Sequence, residues 1–168
     1  SGSIKQLIWK GITRMATRIF LKLGDIKGSS QDDKNHKEWI EVESFGYGVS
    51  NSVNSTEKAK GNPGGEACIH SDVSMNKVID KTSTQLYAYG SSGKISDKAE
   101  IECCEEEELL FKMSLTNAAI SSVSVGGGTG GVPTESLVLS FSKIAWQYKT
   151  DAEQSWDQVT NKGSLKKK

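Results

Sequence analysis

The sequence predicts a mainly β domain: a small antiparallel β-barrel with one short flanking α-helix. Three observations carry that prediction. Short segments alternate apolar and polar residues with a period of two. There are 17 glycines against 2 prolines, a balance that suits frequent turns between strands. Only one stretch after residue 15 has both a helix start and a helix stop. A chain of 168 residues with 35% hydrophobic content closes one modest core and leaves no room for a second large domain.

In chain order, residues 1–14 stand apart. They carry Lys5, Lys10 and Arg14 without an acidic residue, and Ile4, Leu7, Ile8 and Ile12 fall at helical spacing. They read as an N-terminal extension or an appended segment with the pattern of an amphipathic helix. From Thr17 the period becomes two: Ile19, Leu21 and Leu23 alternate with Arg18 and Lys22 in a first strand that ends at Gly24-Asp25. The polar run 27–37 is a loop in which His36 is expected to be solvated. Along 38–49 the apolar phase slips by one, from Ile40 and Val42 to Phe45, Tyr47 and Val49, which predicts a bulge or sharp twist near Ser44.

The stretch 51–66 lacks an apolar pattern and contains Asn62-Pro63-Gly64-Gly65. It is an extended loop of a length that is usually functional. Alternation resumes over 67–75, with Ile69, Val73 and Met75 on one face and His70 and Asp72 on the outer one. Asp80 or Ser83 caps the helix, which stops at Gly90 or Gly93. Segments 98–104 and 109–116 form a hairpin with an acidic tip at 105–108. Another strand covers 118–125, then comes the glycine-rich run 126–131, then one long strand over 136–148. That last strand is apolar on both faces, with Leu137, Leu139 and Phe141 on one side and Val138, Ile144, Trp146 and Tyr148 on the other. Either it is buried on both sides or its second face meets another subunit.

Several function classes are disfavoured. Lys plus Arg and Asp plus Glu both number 21, for a net charge of zero, so no basic field exists to hold nucleic acid. No apolar run is long enough to cross a bilayer and no secretory leader is visible, so no stable membrane association is expected and export would not use a cleaved signal. Cys68, Cys103 and Cys104 do not make a disulfide framework, and the adjacent pair points to opposite faces of a strand. Gly126-Gly127-Gly128-Thr129-Gly130-Gly131 leads into Pro133 and a strand, not into the helix of a phosphate loop. Gly90-Ser91-Ser92-Gly93-Lys94 has Ala88 and Ile95 where a nucleotide loop needs glycine and a hydroxyl. No serine sits in a nucleophile elbow, and neither histidine has a partner at metal-ligand spacing. The expectation is no enzyme, no catalytic or metal residues and no cofactor.

Ordered blocks of residues then carry a resemblance. They are Ile19-Phe20-Leu21-Lys22-Leu23-Gly24-Asp25-Ile26-Lys27-Gly28 with Ser30, His36-Lys37 before Trp39-Ile40, and Phe45-Gly46-Tyr47-Gly48-Val49. Further on come Asp80-Lys81, Ser92-Gly93-Lys94, Ser121-Ser122-Val123-Ser124, and Pro133-Thr134-Glu135 opening Leu139-Ser140-Phe141-Ser142-Lys143-Ile144-Ala145-Trp146-Gln147-Tyr148, followed by Trp156-Asp157 and Thr160-Asn161. Over residues 15–161 the chain resembles the haemolysin-coregulated protein (Hcp) family, the tube protein of bacterial type VI secretion systems, with 162–168 left as a basic tail.

The resemblance implies a homohexameric ring. Such rings stack head to tail into a tube that works with spike and sheath proteins and carries small secreted effectors in its lumen. It implies synthesis in the bacterial cytoplasm and export through the type VI system, without an attached effector domain. The alternative is a cytoplasmic carrier or chaperone ring with little tube-forming role. Asn51, Asn54, Lys58, Lys60, Asn62 and Gly64 are expected in the loop that reaches a neighbouring ring. Ser121, Ser122, Ser124, Gly127 and Thr129 are expected at the lumen or rim, in contact with effectors. Val138, Ile144, Trp146 and Tyr148 are expected at the subunit interface.

Overall fold

A computed structural model describes residues 16–32, 34–51 and 68–165. Its strands are β1 Thr17–Leu23, β2 Ile40–Val42, β3 Ser44–Gly46, β4 Val49–Ser50, β5 Ile69–His70 and β6 Val73–Val78, followed by β7 Ile95–Glu105, β8 Glu108–Gly126, β9 Thr134–Ser140, β10 Lys143–Tyr148, β11 Gln154–Asp157 and β12 Lys162–Gly163; helix α1, Ser83–Ser92, lies between β6 and β7. All pairings are antiparallel. The N-terminal extension and the triple-lysine end fall outside the described residues.

The 19-residue β8 organises the sheet. One edge pairs with β7 along most of its length, while the other edge pairs first with β10 and then with β9. From β9 the sheet continues through β6 to β3, and from β7 through β1 to β2. The expected 118–125 strand is therefore the second half of β8, continued through a kink at Asn117, whose φ is +53°. The expected long strand 136–148 is two strands, broken at Phe141-Ser142, because β9 and β10 follow the two parts of β8 on either side of that kink.

The slip of apolar phase near Ser44 has a related cause. The chain bends at Glu43, so that β2 pairs with β1 while β3 pairs with β6. The sheet curls round its core, but it is not closed into a barrel: β2 and β3 are successive halves of one bent stretch, and no ladder joins β2 to β6. The bend reaches across through the Glu43 amide, which donates to the Asn76 carbonyl at 2.8 Å.

The inner face packs Leu21, Leu23, Ile40, Val73, Met75, Leu86, Ala99, Ile101, Met113, Leu115, Leu137, Leu139 and Ile144 into one cluster. Ile69 is an exception to the expected alternation, being largely exposed, because Ser71-Asp72 interrupts the strand and β5 pairs with β4 in a separate two-stranded ribbon. Helix α1 ends at Gly93, whose φ of +64° supplies the left-handed turn that a residue with a Cβ resists. Gly90 lies inside the helix. Asp80 organises the start, accepting from the Thr82 amide at 2.8 Å.

Candidate functional site

The polar stretch flagged from the sequence runs along the outer half of β8 and the loop beyond it. Ser121, Ser122, Ser124, Gly127 and Thr129 are all exposed. The register against β9 shifts between Ile120 and Ser122, so Ser121 is an extra residue, and this bulge is why two successive serines both face outward. Ser121 donates to Asp72 Oδ2 at 2.9 Å and to the Val138 carbonyl at 3.3 Å. Beside it, α1 and β8 border an open groove of about 430 Å³ that includes Tyr87, Gly90, Ser91, Ile120, Val123 and Val125. The groove wall presents hydroxyls and small apolar patches, without a cluster of charge.

The four residues expected at a subunit interface divide. Tyr148 is 52% exposed, and Val138 and Trp146 are partly buried. Ile144 is wholly buried in the chain's own core and has no surface to offer a neighbour; this corrects the assignment. The break at Phe141-Ser142 resets the alternation, so residues 138 and 144 do not share a face as they would on one continuous strand. Of the extended loop, Asn51 is exposed, while Asn54, Lys58, Lys60, Asn62 and Gly64 lie outside the described residues.

His36 is the largest departure from expectation. It is 2% exposed, not solvated, because the loop 24–39 folds back over the outer face of β1 and β7. Gly28 lets the two ends of this loop close on each other: a Cβ there would sit 2.0 Å from the Trp39 carbonyl oxygen. The ring stacks on Phe20 with centroids 4.1 Å apart. Its Nδ1 meets Asp32 Oδ2 at 2.8 Å and its Nε2 meets Glu102 Oε2 at 2.7 Å. Hydrogen bonding to His36 holds the Asp32 carboxyl below the ordinary aspartate value. Lys112 joins Glu102 to Glu100 at 3.0 and 2.8 Å. Burial opposes ionisation of Glu100, but Lys112 and Lys98 together keep its pKa below the usual glutamate value.

His36, Glu102 and Cys104 bring potential ligand atoms within 4.8 Å of one another. Burial pushes the Cys104 thiol up to about 11, and Glu102 is already engaged on both oxygens. A cation there would have to displace these bonds and a thiol proton. The arrangement acts as a clamp that fastens the loop to the sheet.

A second buried polar group fastens the helix. Lys77 and Glu135, both with side chains 0% exposed, pair at 2.6 Å. Lys77 also reaches Asp80 at 3.2 Å and the Val78 carbonyl at 2.9 Å. Ser83 donates to Glu135 at 3.0 Å and Tyr87 donates to its other oxygen. That bond to Glu135 raises the Tyr87 phenol above its ordinary value. Sequence reading missed both residues because each continues an alternating strand at a position where an apolar side chain would normally stand.

His70 also departs from expectation. It is half-buried in an aromatic group, its ring 6.1 Å from Trp146 and 5.8 Å from Trp156. Its Nδ1 lies 2.5 Å from Tyr47 Oη and its Nε2 3.4 Å from Cys68 Sγ. Burial lowers the His70 pKa and pushes the Tyr47 phenol up to about 12.

Comparison with known proteins agrees with this architecture. A family model described as "Type VI secretion system effector, Hcp" matches residues 20–148. Protein hcp1 of Pseudomonas aeruginosa is 34% identical over 139 residues, covering 80% of this chain and 84% of that protein. A solved structure described as a type six secretion system protein superposes with a TM-score of 0.80 at 26% identity, covering 89% of this chain and 100% of the other. Hcp1 from Salmonella typhimurium gives a TM-score of 0.74 at 28% identity over 89% of this chain and 99% of that one.

Proposed function

Because this chain belongs to the Hcp family, the secreted tube proteins of type VI secretion, we propose that it works as a ring-forming tube subunit: six copies close a ring, rings stack head to tail, and the lumen holds small effectors. The observation that carries this reading is the family match, which covers residues 20–148 and so spans every strand from β2 to β10. In this reading the chain is made in the bacterial cytoplasm and leaves with the tube, in company with spike and sheath proteins. Its role is structural.

The surfaces divide the work as follows. Tyr148, with Val138 and Trp146, adds apolar contact between neighbouring subunits. Asn51 opens the loop that reaches the next ring. Ser121, Ser122 and Ser124 present small, neutral hydrogen-bonding groups to cargo, a surface that accepts varied partners because it carries no strong charge to select one.

Size exclusion with light scattering, followed by electron microscopy of the peak, tests this. Hollow rings of about 109 kDa, six subunits of 18.2 kDa, are expected. A species of 18.2 kDa that persists at high concentration would overturn it.

A further inference from the structure

Cys68 and His70 are two residues apart, with His70 in β5. Period-two geometry turns both side chains to the same side. There Sγ and Nε2 stand 3.4 Å apart, the separation of a thiol hydrogen-bonded to an imidazole. The ring does not turn freely, because Trp146 and Trp156 stack beside it and Tyr47 holds its Nδ1 at 2.5 Å. Nucleophile, base and orienting group thus follow one another in hydrogen-bond contact. The other two cysteines contrast with this one. Cys103 and Cys104 are 8% and 4% exposed, and burial raises the pKa of both, whereas Cys68 is only partly covered.

We propose that Cys68 is a reactive thiol, activated by His70 and positioned by Tyr47, that takes a small-molecule thiol from a low-molecular-weight disulfide to form a mixed disulfide. In the reacting tautomer His70 carries its proton on Nδ1 and donates it to Tyr47 Oη, which leaves the Nε2 lone pair facing Cys68. The S–H proton passes to Nε2, and the thiolate attacks one sulfur of the disulfide RSSR. The Cys68–SR bond forms as the S–S bond of RSSR breaks. The departing thiolate recovers the proton from Nε2 and leaves as RSH. Cys68 is oxidised to the disulfide level and one half of RSSR is reduced, so atoms and electrons balance. Tyr47, kept protonated by its raised pKa, accepts from Nδ1–H throughout and fixes that tautomer.

The test uses the full 168-residue chain and the uncharged reagent 4,4′-dithiodipyridine, followed by thiopyridone release and by peptide mass mapping of the modified cysteine. Oxidised glutathione is the second probe. The expected result is that Cys68 is labelled first, about tenfold or more faster in the folded protein than in the same chain unfolded in guanidinium. The fast phase should be absent in Cys68→Ser. It should fall to the unfolded-chain rate or below in His70→Phe, which keeps an aromatic ring between the tryptophans, and fall several-fold in Tyr47→Phe. First labelling of Cys103 or Cys104, or a folded wild-type rate no higher than the unfolded one, would overturn the proposal whether or not the variants fold. So would an unchanged rate in a folded His70→Phe protein.

Discussion

The two halves of β8 are one strand in hydrogen bonding and two in energetics. From 111 to 116 it pairs on both edges, and this inner half puts Met113, Leu115 and Ala118 into the core without exposure. From 121 to 126 every residue except Val123 is exposed, and its described ladder there is the one to β9. The inner half is held by apolar burial. The outer half is held through its neighbour, since β9 carries Glu135 opposite Val125 and Lys77 clamps Glu135 from β6. A half-strand with little apolar burial of its own is therefore secured by a buried ion pair one strand away.

Removing that ion pair tests the comparison most severely. Lys77→Met takes the cation away from a fully buried carboxylate, so a loss of about 3–5 kcal/mol is expected in denaturant unfolding. Amide exchange should rise at 121–126 and in α1 before it rises at 111–116; uniform loosening would dissolve the distinction. Met113→Ala should cost about 2–5 kcal/mol through a cavity, with the opposite order of exchange.

A smaller effect is expected at the His36 clamp. The Asp32 pKa is lowered in the folded chain, so its contribution is complete above the ordinary value of 3.8 and is lost as pH falls through the lower folded value. Asp32→Asn should flatten that acid limb of a stability profile measured by denaturant unfolding. Smallest of all, the triple change of Ser121, Ser122 and Ser124 to Ala should alter stability by about 0.5 kcal/mol per site or less and leave ring formation intact. Cargo retained through purification should decline. A large loss of stability would mean that the outer half is not the independent surface described here.

How far the fold could be read from the sequence follows from the same physics. The hairpin of β7 and β8, the first strand and a helix stop at Gly90 or Gly93 were legible because local patterns decide them: alternation, an acidic tip within 105–108 and glycines after a helical run. The break at Phe141-Ser142 was not, since the chain shows apolar residues on both sides and only pairing with a kinked β8 separates them. Ile144 was misplaced for that reason. His36 was misread because a histidine in a polar run looks solvated. Phe20, apolar on the outward phase of β1, was the available sign that something covers that face. The buried Lys77 and Glu135 lie 58 residues apart, and nothing in either neighbourhood announces the other. The polar character of 121–129 was plain, and these residues are exposed except Val123; the bulge at Ser121 was not visible.

The turn that joins β7 to β8 has a consequence for how the chain folds. Only Glu106 and Glu107 separate the strands, and both adopt left-handed backbone angles, φ +47° and +69°. Asn-Gly would take up this turn with little resistance, whereas a glutamate resists it. Because this is the longest local pairing in the molecule, it is the natural place for folding to begin. The sequence therefore slows its own nucleation step in favour of two carboxylates, one of which binds Lys34 and ties the loop 24–39 to the hairpin end. Replacing the pair with Asn-Gly should speed refolding and remove the Lys34 tether, leaving the loop held by His36 and by Ile26 in the core.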